Sequence, residues 1–595
     1  MGKKQVKFMC TAFRDGFQSV YGARVLTKDF LPALKAAKDA GINYFEVGGG
    51  ARFQSLYFYC NEDAFRMMDE VRKTVGPGVQ LQTLARGVNV VGLESQSSDI
   101  IDLHAKLFKK HGIDTIRNFD ALNDVNNLIY SGQCIKNRGL NHQVCVTLME
   151  LPPGCTGAHD TDFYLRTLKE ILDKDIPFDS VCFKDASGTA VPSKVFNTIK
   201  AARKLLPENT FIHFHTHETA GCGVISNQAA LDAGADAIDL SLAPVSGGTC
   251  QPDVIVMWHA LRGTNYELEV DIDKVRDAEE IFKECMKDYF LPPEATAVEP
   301  LIPWSPMPGG ALTANTQMMR DNGIMDKYPD MIKAMKEVVE KGGFGTSVTP
   351  VSQFYVQQAL NNVMFGKWKK IVPQYGQMVL GYFGKTPVEP DKEVVAISRE
   401  QLKLEPNQKP VLELNDADSS KGVKAAKKIL KEAHLEESEE NIFVVSTCKE
   451  KGVAFLKGQG ELSIRKNSSS AVKSEVGKSD EYTVTVDGAK YCVKFDNDQI
   501  IVNGQKHAVD IKEGIDANSN YSGAGTPIRA SMPGTVFKIN VKEGSIVKES
   551  ESVVILESMK MEIPVGAPGN GTIEKLLVQK GQRVAVGDVL CYLAN

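Results

Sequence analysis

No apolar run in this sequence reaches the roughly 18 residues that a membrane helix requires. The N-terminal MGKKQVKFMC goes straight into a strand-like pattern rather than an apolar export segment. Neither a transmembrane span nor a signal peptide is expected, and a cytoplasmic protein is. Cysteine is sparse, 12 in 595 residues with no CxxC pair, which argues against a disulfide framework and a structural zinc site. An excess of one charge is also missing. Lys and Arg total 69 against 75 Asp and Glu, a net −6. With no Lys/Arg block, neither nucleic acid nor an anionic membrane is an expected partner. Hydrophobic residues at 43% and charged residues at 24% are ordinary values. These absences leave a multidomain globular protein and no function.

What is present begins with an alternation. Strand-like runs occur at Val6–Thr11, Tyr44–Val47, Val79–Leu84, Thr115–Phe119, Gln143–Met149, Ser180–Phe183, Phe211–His215 and Ala237–Leu240. Between them lie stretches of 3.6-residue periodicity such as Asp29–Ala40, Glu62–Val75 and Ser193–Leu205. This count over residues 1–262 predicts an α/β fold, a TIM (β/α)8 barrel. A doubly wound sheet usually carries a glycine-rich loop after its first strand, and none follows Thr11. Residues 263–400 read as a C-terminal helical extension completing the active-site funnel. Residues 401–515 combine a lysine-rich helical stretch, Ser420–Glu436, a Ser-rich linker, Lys466–Asp480, and hairpin-forming strands. They read as a small α+β association or oligomerisation region. An all-β module is expected over 527–595.

That module contains an internal repeat. GTVFKINV, Gly534–Val541, recurs as GTIEKLLV, Gly571–Val578, and each copy runs on to a glycine (Gly544, Gly581) and a valine (Val547, Val584). Two such β units should pack as a pseudo-twofold flattened barrel. Between them stands ESMKME, Glu557–Glu562, with Lys560 flanked by Met559 and Met561. A lysine there belongs on a hairpin tip, where its amine suits covalent attachment of a swinging cofactor. An ordinary solvated lysine is the bland alternative. The segment resembles the attachment site of biotin carboxyl carrier domains, which implies Lys560 as the biotinylated residue and a biotin protein ligase as a partner.

Active sites of such barrels lie at the C-terminal strand ends. There stand Arg14, Asp15 and Gln18 after the first strand, Arg86 after the third and Asp120 after the fourth. Lys184 and Asp185 follow the sixth, His215 and His217 the seventh, and Ser246 the eighth. Residues i and i+2 of an extended segment share a face, so both imidazoles of His215-Thr216-His217 can reach one cation. Asp15 can add a carboxylate oxygen where the barrel closes. Nitrogen and oxygen donors suit Zn2+, with Mn2+ or Co2+ as alternatives. A packed or surface histidine pair is the competing reading.

The strand-end motifs carry a wider resemblance. FRDGFQS (Phe13–Ser19), ARGVN (Ala85–Asn89), FDALND (Phe119–Asp124), FKDASGT (Phe183–Thr189) and HTHETAG (His215–Gly221) come first, then SGGTCQP (Ser246–Pro252), PGGALT (Pro308–Thr313) and VTPVSQ (Val348–Gln353). Together they resemble the carboxyltransferase domain shared by pyruvate carboxylases, oxaloacetate decarboxylase α subunits and a transcarboxylase subunit. The resemblance implies Asp15, His215, His217 and Lys184 as metal ligands, the lysine as a carbamate. It implies Arg86, Gln18 and Arg14 around the carboxylate and keto oxygens of a 2-oxo acid. Thr349 would shuttle a proton between substrate and biotin. The implied reaction moves a carboxyl group between carboxybiotin and pyruvate, giving oxaloacetate, or runs backwards.

No ATP-grasp pattern occurs. The resemblance therefore points to a separate biotin carboxylase subunit, with this chain as the carboxyltransferase subunit of a two-subunit pyruvate carboxylase and as a homo-oligomer. The alternative is an oxaloacetate decarboxylase α subunit with membrane-embedded, sodium-translocating decarboxylase subunits. More distant are a carboxylase of another 2-oxo acid, such as 2-oxoglutarate, and an aldol-type metal-dependent lyase barrel. The chain departs from the family at Gly16 and Phe17, where alanine and histidine are common, and at Gln353, where single-chain pyruvate carboxylases usually have lysine. Gln54 and Leu93 stand where an accessory biotin pocket uses an acid and a tyrosine. His104, His111, His142, His159, His434 and His507 read as surface or core groups.

Overall fold

The computed structural model describes residues 3–467, 481–486, 489–496, 499–502, 505–508, 525–558 and 561–594. They fall into two compact units, 1–465 and 466–595.

In the first unit, β1 (Lys4–Cys10), β2 (Tyr44–Glu46), β3 (Gln80–Ala85), β4 (Thr115–Asn118), β5 (Asn141–Thr147), β6 (Ser180–Asp185), β7 (Phe211–Thr216) and β8 (Ala237–Leu240) pair in parallel, each with the next. Cys10 closes the ring, opposite Phe45 of β2 on one side and Leu240 of β8 on the other. The expected TIM barrel is therefore formed. Helices wrap it through regular apolar faces. Ala64–Val75, for instance, buries Ala64, Phe65, Met67, Met68, Val71 and Val75, the i, i+3, i+4 spacing of one helical side. Its start is fixed by Asp63, whose side chain accepts from the Phe65 and Arg66 amides.

The barrel axis departs from the usual filling. Such interiors are ordinarily layered with branched aliphatics, yet Arg117, Gln143, His213, His215, Asp239 and Glu46 are all buried there. Behind Asp15 the packing is aromatic: Phe13, Phe17, Phe30, Phe45 and Phe282 meet with ring centroids 5.3 to 6.0 Å apart.

Two parts of the extension shape the barrel mouth. The helix Gly309–Asp321 approaches so closely that a Cβ on Gly309 would lie 1.6 Å from the Thr249 carbonyl oxygen. Only glycine fits. The loop before the helix Val351–Phe365 is pinned over the ends of β4 and β5. Thr346 donates its amide to the Ala121 carbonyl at 2.8 Å, and its hydroxyl lies 2.9 Å from that of Thr147. The helices Val411–Ala417, Gly422–Glu432 and Glu439–Leu456 pack against Ser98–Lys110 on the barrel's outside. Leu430 and Phe443 join its core. The sequence sets residues from 401 onward apart, whereas the compact division falls after Arg465, because these helices bury their apolar faces on the barrel.

In the second unit, Glu481–Val486, Ala489–Asp496, Gln499–Val502 and Gln505–Ala508 form an antiparallel meander. The terminal module is all β. Thr526–Arg529, Val589–Ala594, Gly571–Leu576 and Ile546–Val547 form one sheet, and Met561–Gly566, Ser552–Ser558, Gly534–Ile539 and Arg583–Val584 the other. The repeat explains the pairing. Gly534 of the first copy lies opposite Val584 of the second, and Gly571 of the second opposite Val547 of the first. Val536, Val547, Leu556, Ile573, Val584 and Leu593 fill the core that each copy needs the other to close. Ser558 pairs with Met561; Met559 and Lys560 lie outside the described residues. No helix among the described residues is long and apolar enough to cross a membrane.

Candidate active site

Ligating atoms of Asp15, His215 and His217 all lie within 4.8 Å of one another at the C-terminal mouth of the barrel. Asp15 is carried by a single wide π-helical turn after β1, Ala12–Gly16. Its Oδ2 is 3.5 Å from His215 Nε2 and 3.4 Å from His217 Nε2. The opposite ring atoms are engaged elsewhere: His215 Nδ1 lies 2.6 Å from Asp239 Oδ2, and His217 Nδ1 2.7 Å from the Thr249 carbonyl oxygen. Both Nε2 atoms thus face the carboxylate, a donor set that fits a divalent cation. Burial alone would raise the Asp15 pKa, but Arg14, His217 and Lys184 outweigh it and hold the carboxyl well below its ordinary value. Gln251 Nε2 reaches both Asp15 Oδ2, at 3.1 Å, and His217 Nε2, at 2.9 Å, and its Oε1 accepts from Thr11 at 2.6 Å. Gly16 is also explained, since a Cβ there would meet Val245 Cγ2 at 2.7 Å.

Lys184 stands opposite His215 in the β6–β7 register, with its Nζ 2.7 Å from His215 Nε2. Burial lowers its pKa against the pull of Asp15, and a neutral amine is what carbamate formation requires. Asp185 is turned elsewhere, accepting from the Ser187 hydroxyl and the Thr189 and Ala190 amides. Although adjacent in sequence, Lys184 and Asp185 therefore form no ion pair.

The structure treats the two arginines differently. Arg14 Nη2 lies 2.6 Å from Glu46 Oε1 and 3.2 Å from Asp15 Oδ2, while Nη1 donates to Gln18 Oε1 at 3.2 Å. It is thus committed to protein carboxylates. Arg86 Nη1 donates to the Val91 and Gly92 carbonyls at 2.8 and 2.9 Å, and its Nε has no hydrogen-bond partner among the described residues. Burial, aided by the charge of Arg14, lowers its pKa to about 9. Arg86 and Gln18 meet over Gly50, where a Cβ would lie 3.6 Å from Arg86 Nη2 and 3.7 Å from Gln18 Oε1.

Thr349 is half-buried at the end of the pinned loop, just before Pro350 and the helix Val351–Phe365. In the first turn of that helix, Ser352 Oγ and Gln353 Oε1 are buried without partners among the described residues. Ser246 donates to Asp253 at 2.6 Å. Asp120 accepts from the Leu122 and Asp124 amides and from Asn127. Gln54 donates to the Thr447 carbonyl at 2.7 Å, tying the barrel to an outer helix. Nothing local in the sequence singles out Asp239, Arg117 or Gln251 as site residues. For His213 a signal is available, because β7 reads FIHFHT and the segment HFHTH repeats imidazoles at the strand period of two.

A family model described as "Conserved carboxylase domain" matches residues 302–494, one described as "Biotin-requiring enzyme" matches 526–593, and an HMGL-like model matches 128–282. A pyruvate carboxylase subunit of Methanocaldococcus jannaschii is 30% identical over 572 residues, covering 93% of this chain and 94% of the relative. The chain belongs to the biotin-dependent carboxyltransferase family. The 2-oxoglutarate carboxylase large subunit of Hydrogenobacter thermophilus is 27% identical over 597 residues, covering 93% of the chain and 89% of the relative. The carboxyl transferase domain of Rhizobium etli pyruvate carboxylase, solved with oxalate, shares the fold. Its TM-score is 0.70 at 21% identity, over 86% of this chain and 88% of that one. In this carboxyltransferase the all-β terminal module is accordingly the biotin carrier. The HMGL-like match covers only part of the barrel, which leaves the aldol-type lyase reading without the carrier and the extension.

Proposed function

We propose that this carboxyltransferase moves a carboxyl group between biotin on Lys560 and pyruvate, giving oxaloacetate, as one component of a two-subunit pyruvate carboxylase. The observation that carries the reading is Arg86, a buried guanidinium with no carboxylate partner among the described residues, on the same barrel face as Asp15, His215 and His217. A planar fork of N–H donors matches a carboxylate, and a buried cation without a counter-ion is costly, so a substrate anion completes it. Gln18, across Gly50, is placed for the keto oxygen. Arg14 acts at one remove, holding Asp15 and Gln18 in place.

Asp15, His215 and His217 would hold a divalent cation, Zn2+ first by donor set. Lys184 joins them once its neutral amine has added to CO2 and released a proton. When bound, the cation supplies Lewis acidity toward the keto oxygen, and biotin supplies the transferable carboxyl group. Thr349 Oγ1 accepts one proton while releasing its own, so no net charge develops on that side chain. The M. jannaschii relative is named as one subunit of its pyruvate carboxylase, which supports a separate biotin carboxylase partner.

The test is avidin capture of the full-length chain with mass spectrometry of its companions, followed by assay of the captured complex. The expected result is a soluble ATP-dependent biotin carboxylase and carboxylation of pyruvate. A multi-span membrane partner would move the reading to an oxaloacetate decarboxylase, and turnover of 2-oxoglutarate alone to the second relative's substrate. Retention of a Lys560→Arg variant on avidin would remove the attachment site.

A further inference from the structure

Strand β7 and the residue that follows it carry His213, His215 and His217 at alternate positions, and all three are buried. One carboxylate stands between the first two. Asp239 of β8 has Oδ1 2.6 Å from His213 Nε2 and Oδ2 2.6 Å from His215 Nδ1. Arg117 of β4 pairs with the same carboxylate from across the barrel and donates Nη2 to Oδ1 at 3.3 Å. Arg117 is fixed in turn by Gln143 Oε1, 2.5 Å from its Nε, and Gln143 donates to Ser180 at 3.2 Å. Asp239, Arg117, His213 and His215 show no exposed surface. The charges of Arg117 and Asp239 cancel, so the carboxylate is held as an acceptor and in one orientation.

That orientation has a chemical consequence for His215. A neutral imidazole carries one N–H, and whichever nitrogen bears it cannot bind a cation. Asp239 accepts at Nδ1, which leaves the lone pair on Nε2, facing Asp15. Were the proton on Nε2 instead, His215 would present a donor to the cation. His217 receives the same instruction from a backbone carbonyl, so Asp239 is the side chain on which the geometry can be altered.

We infer that Asp239, anchored by Arg117, is a positioning residue that sets the tautomer and ring angle of His215 for a divalent cation. This rests on the metal-centre reading given above.

The test uses the full-length chain in bicarbonate buffer with Co2+ as the probe, read by visible absorption and by chelator competition. Asp239→Asn keeps the shape but lets an amide face Nδ1. The expected result is Co2+ affinity weakened by about 10- to 100-fold, with a shifted absorption band. In a His215→Ala background the same substitution should change affinity by less than about twofold, because the effect passes through that ring. Should Arg117, left without its counter-ion, unfold the single variant, Asp239→Asn with Arg117→Gln removes both charges and carries the same expectation. Unchanged affinity and spectrum in a folded variant overturn the inference and leave the metal reading standing. An additive loss in the His215→Ala background also overturns it. A wild-type chain that takes up no Co2+ overturns the metal reading and the inference together.

Discussion

His217 Nδ1 lies 2.7 Å from the carbonyl oxygen of Thr249, and that same oxygen is the atom against which Gly309 packs. A helix of the extension thus sets the orientation of a histidine on the barrel by way of one backbone carbonyl. The extension is part of the site's construction, not a decoration upon it.

Gly309→Ala should therefore act on the proposed metal site from outside it. The added methyl must push the Thr249 carbonyl away, since it would start 1.6 Å from that oxygen. Loss of the orienting contact should weaken divalent-metal retention by about tenfold or more. Gly310→Ala, whose Cβ would stand 3.0 Å from the Gln18 carbonyl, should be milder. Metal content after gel filtration, with circular dichroism to confirm the fold, decides between them.

For Arg86 the expected signature is in substrate affinity. Truncating one partner of a buried charge pair costs about 2–5 kcal/mol, so Arg86→Gln should reduce kcat/KM for pyruvate by roughly 30-fold or more. Arg86→Lys should fall between, because it keeps the charge and loses the fork. Steady-state kinetics on the reconstituted complex read this directly. A loss below about threefold would mean that the guanidinium does not meet the substrate's carboxylate.

The barrel was legible in sequence because its strands are short β-rich runs at regular intervals, and Asp15, His215 and His217 because strand ends and i, i+2 spacing are sequence properties. Partner choice across the barrel is not such a property. The resemblance implies Arg14 as a substrate contact, and only the fold shows that Glu46, 32 residues away, also holds it. Asp239 sits in an ordinary AIDL strand, and nothing local shows that it bridges two imidazoles. Gln251 lies inside the SGGTCQP motif, but its reach to Asp15 is set by the fold of the loop after β8. Of the helices in 411–456 only the stretch Ser420–Glu436 is read as helical from sequence, and the barrel surface that these helices cover is a matter of tertiary packing.

Lys184→Ala should abolish most carboxyl transfer while leaving the barrel folded, because it removes a side chain 2.7 Å from His215 Nε2 and no ion pair with Asp185. If the lysine serves as a carbamate, small carboxylic acids such as formate or acetate should restore part of the activity by supplying an oxygen donor in its place. Activity titrated against acetate provides the check. Rescue by methylamine instead would assign the role to the amine.

Part of the protein's acid sensitivity should be traceable to His104. The ring is buried beside Phe108 and Phe443, with centroids 4.2 and 5.7 Å away, and burial pushes its pKa down to about 3. The unfolded chain takes up a proton near pH 6.5 that the folded chain refuses. Stability therefore falls as pH drops from about 6.5 toward 3, by about 1.4 kcal/mol per pH unit. Between pH 7 and pH 5 the wild type should lose about 2 kcal/mol through this residue. His104→Leu should show a flatter response. Urea midpoints of both proteins at the two pH values test it, and equal slopes would count against His104.

On the proposed metal reading, heat tolerance and activity should compete along the barrel axis. Replacing a buried ion pair with well-packed apolar side chains is often neutral or stabilising, by about 1–4 kcal/mol. Arg117, Gln143, His213 and Asp239 fill the space that comparable barrels give to aliphatic layers. A library selected for survival at high temperature alone would therefore gather its gains at these positions. The survivors would melt later and hold the proposed metal less tightly. Hardening this protein for use calls for changes on its outer helices, with the axis left as it is.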